Sequence, residues 1–245
     1  MKAMKLIAAA VVALAAAGCG GDAGGGNATA EKDFKVEKIA APNGGDWSQM
    51  VTETPEGGFL MGNPQAKVKV VEHGSMTCSH CAEFAEAGEP QLIEKYVKSG
   101  QVSFEFRNFV RDPADLAASL IARCNGAGAF FPLTDQLFAA QGEWLGKLQQ
   151  MPPEQQAQLQ NMTPAQAVGV YSEAAGLIDF ARVRGIPAAR AQACVSDASQ
   201  VQRLVEMGKQ AGEIPGTPTF RINGNIVPNS ANWATLEPAI QQALR

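Results

Sequence analysis

An apolar strand pattern, Val68-Lys69-Val70-Val71-Glu72, ends at Gly74 and runs into Cys78-Ser79-His80-Cys81, after which Ala82-Glu83-Phe84-Ala85-Glu86 favours helix. A strand that hands over to a helix through a dithiol constrains the fold more than any other feature of the chain. Cys78 falls at the helix N-terminus, where unpaired N–H groups and the positive end of the helix dipole stabilise an anion. A thiol held there ionises more readily than a free cysteine, and the thiolate is the form that attacks disulfides. The two intervening residues set Cys81 one helical turn further in, near enough to close a disulfide and partly sheltered from solvent. The pair therefore reads as a nucleophile and a resolving thiol. His80 lies between them, where its imidazole favours the Cys78 thiolate further. Stabilising the reduced form makes the corresponding disulfide a stronger oxidant.

Glu72 shares strand parity with Val68 and Val70, whereas Lys67 and Lys69 share the other face. An acid that points toward the core needs a partner or serves proton transfer, because an unpaired buried carboxylate is costly. Six residues before Cys78, Glu72 is suited to exchanging a proton with Cys81. The plainer alternative is a strand-end glutamate turned to solvent.

The five cysteines are Cys19, Cys78, Cys81, Cys124 and Cys194. Residues 1 to 18 carry Lys2 and Lys5, an apolar run from Leu6 to Ala17 and small residues before Cys19, the pattern of a secretory signal too short for a lasting membrane span. Leu14-Ala15-Ala16-Ala17-Gly18-Cys19 resembles a bacterial lipobox, which makes Cys19 a lipidation site; ordinary cleavage near Ala17 is the alternative. The Gly-rich stretch that follows reads as a flexible tether, residues 19 to 45 in all, ahead of a folded domain spanning 46 to 245. Cys124 and Cys194 both point into helical patterns, so they form a structural disulfide or pack as two buried free thiols.

Further strands are expected at Val102–Phe106, Thr219–Ile222 and Ile226–Val227, the last two joined by the hairpin signal Asn223-Gly224-Asn225. From about residue 112 to 213 the pattern is helical, with Pro113, Pro164 and Pro187 near helix starts and Gly126, Gly185 and Gly212 near helix ends. A last helix is expected from Trp233 to Leu244. Pro90 either kinks the helix that opens at the dithiol or ends it at Glu89. The Gln-rich run from Gln149 to Gln160 reads as an exposed segment between helices.

Val70-Val71-Glu72, Cys78-Ser79-His80-Cys81, the helix-rich stretch and Gly216-Thr217-Pro218-Thr219-Phe220 together resemble a DsbA-type member of the thioredoxin superfamily, over roughly residues 59 to 245. The resemblance implies an α/β thioredoxin-like fold, a central mixed β-sheet flanked by helices, with an inserted all-helical subdomain. It implies that Pro218 is cis and faces the dithiol, and that Thr217 and Pro218 hold an extended substrate; Thr217-Pro218 as a dipeptide does not say so. Some secreted relatives of this type carry a second disulfide. Two positions depart from the oxidase pattern. Family oxidases more often carry valine where Thr217 stands, and the strongest have proline at the Ser79 position.

A net charge of −4, from 20 basic and 24 acidic residues, gives no basic footprint for nucleic acid. A metal carrier using His73, Cys78, His80 and Cys81 for copper or zinc is the competing class, but the spacing lacks a second distant ligand pair, and no metal site is expected. The expectation is a monomeric disulfide-forming oxidase of the bacterial envelope, facing the periplasm, with isomerase or reductase second. It needs no cofactor beyond the Cys78-Cys81 disulfide. Its partners would be cysteine-containing proteins, a membrane redox protein of the DsbB type or a reductant, and the membrane itself through the lipid anchor.

Overall fold

The computed structural model describes residues 34 to 245. The expected signal, lipidated Cys19 and most of the tether lie outside the described residues. The domain proper begins earlier than residue 46, because the Ile39 N–H donates to Ser99 O at 2.7 Å and the buried Trp47 indole donates to Ile39 O at 2.9 Å. Those bonds fix part of what reads in the sequence as tether.

Six strands make one sheet in the order β1-β2-β4-β3-β5-β6: β1 (Val51–Glu53), β2 (Phe59–Gly62), β3 (Val68–Gly74), β4 (Val102–Asn108), β5 (Thr219–Ile222) and β6 (Asn225–Ile226). The β3 strand lies between a parallel partner, β4, and an antiparallel one, β5, so Val70 sits beside both Phe104 and Ile222. Flanked on both edges and covered on both faces, β3 is buried from Glu72 to Gly74. The hairpin β1–β2, which carries no strong alternation in sequence, adds antiparallel strands beyond β4. At the opposite edge the turn is Asn223-Gly224, both at positive φ (49° and 87°), and Asn225 belongs to the strand.

Helix α1 (Ser79–Ala87) follows β3, and α2 (Glu89–Leu92) continues its course. Gly88 between them keeps right-handed helical angles, and the Leu92 N–H still reaches Gly88 O at 3.0 Å. Pro90 therefore kinks the helix and does not stop it. Phe84 of α1 packs against Phe220 and Phe104, at ring-centroid distances of 4.6 and 6.4 Å, and fixes the helix on the sheet.

Between β4 and β5 the chain forms the helical insert: α3 (Pro113–Arg123), α4 (Ala127–Ala139), α5 (Gln141–Gln149), α6 (Pro153–Leu159), α7 (Pro164–Ala174), α8 (Leu177–Arg182), α9 (Ala188–Val195) and α10 (Ala198–Gln210). Asp112 caps α3 by accepting from the Asp115 N–H, with Pro113 at the first helical position. The α3 helix is buried from Ala114 to Arg123 and forms the insert's centre. Cys124, just past its end, is disulfide-bonded to Cys194 of α9, with Cα atoms 5.5 Å apart. The Gln-rich run is not all connection: Pro153 starts the exposed helix α6, which glutamine's helix propensity sustains. Helix α11 (Trp233–Leu244) closes the chain, buries Leu236 and Ile240, and lies near β3 and β5.

Candidate active site

The register of β3 on β5 builds the site. His73 lies opposite Thr219, so Pro218 comes to rest beside the C-terminal end of β3, where Ser75-Met76-Thr77 leads into Cys78. The Thr217–Pro218 peptide bond is cis. Cys78 is the N-cap of α1, with extended backbone angles, and its thiol donates to Thr217 O at 3.0 Å. Cys78 and Cys81 are both unpaired thiols here, and Cys81 is wholly buried whereas Cys78 retains a sliver of exposure.

The two thiols have opposite acidities. Hydrogen bonding from Cys81, with the nearby Arg111 charge, draws Cys78 down to about 4 against the cost of burial. Burial, followed by the hydrogen bond with Cys78 and the Glu72 and Cys78 charges, pushes the Cys81 thiol far above the ordinary cysteine value. One thiol is set to be an anion and the other to keep its proton. Glu72 is 1% exposed, its Oε1 finds no hydrogen-bond partner, and burial together with the Cys78 charge raises its carboxyl well above the carboxylate range. The sequence parity thus predicts its inward direction correctly, and the solvent-facing alternative fails.

Ser79 and His80 open α1 and are both exposed. Among the charges, the one that draws Cys78 down is Arg111, a residue of the segment that leads into the insert. Strand alternation sends His73 to the face opposite Glu72, where it is buried with Nδ1 unpartnered and drawn down to about 4 by burial. Among the described residues, no group of three or more His, Cys, Asp or Glu side chains is arranged to hold a metal ion.

Two grooves flank the dithiol. One, of about 420 Å³, runs past the cis-proline loop and is lined by Pro215, Thr217, Pro218, Ile226, Val227 and Pro228 among others. The other, of about 460 Å³, lies between α1 and α4 and includes Ser79, Ala82, Glu86, Asp135 and Phe138. Sequence reasoning missed Arg111, Asp115 and Gln141, which hold the loop before Cys78. Asp112-Pro113 marks a helix start, but nothing in it says that the helix end faces a loop dozens of residues upstream.

Residues 54–242 match the family described as thioredoxin. The chain belongs to the thioredoxin family. Its fold, with the helical insert, is the one seen in DsbA-like structures. This thioredoxin-family chain is 33% identical to a Novosphingobium aromaticivorans protein described as a protein-disulfide isomerase, with a TM-score of 0.72 over 76% of this chain and 96% of that one. The Wolbachia pipientis alpha-DsbA1 structure shares the fold at 20% identity and a TM-score of 0.60, covering 76% of this chain and 89% of its own. A Rickettsia bellii protein, 27% identical over 196 residues, carries the provisional name of a protein-disulfide oxidoreductase; the match covers 77% of this chain and 66% of that protein. Matches to the Rickettsia prowazekii and Rickettsia felis relatives span 61% and 60% of those proteins.

Proposed function

We propose that this chain is a protein thiol-disulfide oxidoreductase that forms disulfides in cysteine-containing proteins. The observation that carries the reading is a dithiol at a helix N-terminus, facing a cis-proline, with Cys78 acidic and Cys81 not. In the cycle, a substrate thiolate attacks Cys78 of the Cys78–Cys81 disulfide. A mixed disulfide forms at Cys78, and Cys81 leaves as a thiolate that takes a proton by way of Glu72. A second substrate thiolate attacks the substrate sulfur and expels Cys78 as a thiolate. The substrate gives up two electrons and the enzyme is left as the dithiol. The Thr217–Pro218 backbone and its groove would hold the extended substrate during exchange. The redox-active disulfide is the only cofactor the cycle needs.

The oxidase direction is supported by Cys78 lying near about 4, closer to the ~3.5 of a strong oxidase than to the ~7 of thioredoxin. Disulfide isomerisation is the second reading, favoured by the name of the Novosphingobium relative and by Thr217 before the cis-proline. Residues 1 to 19 support placement in the bacterial envelope on the periplasmic side, anchored through lipid on Cys19. Reoxidation would fall to a membrane partner of the DsbB type, and the chain would work as a monomer.

The test is the reduction potential of Cys78–Cys81 against glutathione. A value near about −120 mV supports the oxidase, and one near about −270 mV makes the chain a reductant. Cys78→Ser is expected to abolish thiol exchange, and full activity in that variant refutes the mechanism.

A further inference from the structure

The loop that delivers Cys78 is gripped by the helical insert. Asp115, fully buried on α3, accepts from the Ser75 hydroxyl at 2.6 Å and from the Met76 N–H at 2.8 Å. Gln141, at the head of α5, donates through one buried amide nitrogen to Met76 O at 2.8 Å and Cys78 O at 3.0 Å. Asp112 Oδ2 accepts from the Thr77 hydroxyl at 2.9 Å. Arg111 joins the same cluster: its Nε donates to Ser75 Oγ at 2.8 Å, a terminal nitrogen to Thr77 Oγ1 at 3.0 Å, and its backbone N–H to Asp115 at 3.0 Å. Its guanidinium is therefore aimed by two hydroxyls at the residues next to Cys78. Among the described residues it forms no direct ion pair with a carboxylate, Asp115 and Asp112 each standing one hydroxyl away through Ser75 and Thr77.

We propose that Arg111 is a positioning residue of the redox site: held by Ser75 and Thr77 at the entrance to the insert, it presents a positive charge, in no direct ion pair, that stabilises the Cys78 thiolate. The helical insert thereby takes part in setting the attacking thiol, alongside helix α1 and the cis-proline loop. The proposal rests on the reading of Cys78 as that thiol. The titratable groups around Cys78 come from three directions. Cys81 and His80 lie on α1, Glu72 on β3, and Arg111, Asp112 and Asp115 at the head of α3; the cis-proline loop contributes the uncharged Thr217. Of the charges, Arg111 is the one that draws Cys78 down. Because the Arg111 side chain is exposed, its effect is open to screening by salt.

The experiment follows the ultraviolet absorbance of the thiolate against pH in the reduced full chain, with Cys78→Ser as the baseline. Arg111→Met is expected to raise the Cys78 midpoint by about one pH unit, a roughly tenfold smaller thiolate fraction on the acidic side, and Arg111→Lys to restore most of it. Added salt is expected to raise the midpoint of the unsubstituted chain and to leave that of Arg111→Met nearly still. A depressed midpoint that neither the methionine nor salt moves overturns the assignment to Arg111. A lysine variant displaced as far as the methionine variant also overturns it, because the hydrogen bonds and not the charge would then be responsible. An unsubstituted chain that titrates like free cysteine overturns instead the reading of Cys78 as the attacking thiol. Should Arg111→Met not fold, the salt titration of the unsubstituted chain decides alone.

Discussion

The Cys124–Cys194 bridge closes a loop of 70 residues, which sets how much it stabilises the domain. In the chain-entropy view a cross-link of that span removes unfolded-state freedom equivalent to about 4 kcal/mol at room temperature, an upper figure for the effect of cutting it. The folded ends do not depend on the bridge to stay together. Arg190 donates to Cys124 O at 3.2 Å, and α3 packs against α9. The cost of cutting it should therefore sit in the unfolded chain. At about 2.1 cal/mol/K per residue, some 200 ordered residues give an unfolding entropy near 0.4 kcal/mol/K, so about 4 kcal/mol corresponds to a Tm lower by roughly 10 °C. The assay is thermal unfolding followed by circular dichroism in a Cys78→Ser, Cys81→Ser background, which leaves a single disulfide. The comparison is with the same chain carrying Cys124→Ala and Cys194→Ala. A Tm difference of less than about 2 °C, with an unaltered native spectrum, would refute the entropic reasoning.

Glu72→Gln is expected to slow thiol exchange while leaving the urea midpoint nearly unchanged, since it keeps the shape and removes the titrating proton; equal exchange rates would end its role as proton carrier. Glu89 is 4% exposed with Oε1 unpartnered, and burial, then the Asp135 and Glu72 charges, raise its carboxyl well above 4.5. An acid raised on folding contributes stability that is full below its unfolded value and lost as pH climbs through its folded one. Glu89→Gln should thus flatten the fall in urea midpoint as pH rises above the ordinary carboxylate range, and a variant with the parent slope would contradict this. A Cβ on Gly74 would stand 2.5 Å from two carbons of the Phe106 ring and 2.9 Å from Glu72 Oε1. Gly74→Ala is accordingly expected to cost about 1–3 kcal/mol in urea unfolding, and a neutral substitution would mean that the Phe106 ring yields freely.

The redox strand, the dithiol helix, the Asn-Gly hairpin and α11 were legible because each is written locally: an alternation, an N-terminal position, a turn dipeptide, an amphipathic period. Glu72 was legible for the same reason, as a charge out of phase with its strand. The hairpin β1–β2 was not, since Val51-Thr52-Glu53 is short, largely exposed and held by pairing with a partner whose own pattern is brief. Arg111, Asp115 and Gln141 escaped for a different reason. Their partners Ser75, Met76 and Cys78 lie about 36 to 65 residues away in the chain, and only the packing of the insert brings them together.

The sheet ends on one side in a strand of three residues and on the other in a strand of two, with Pro228 just beyond the second. Long open edges invite foreign strands to add on and seed aggregates. Blunt margins of this length offer a foreign strand few backbone bonds, so neither edge of the sheet is a template on which a deposit can grow.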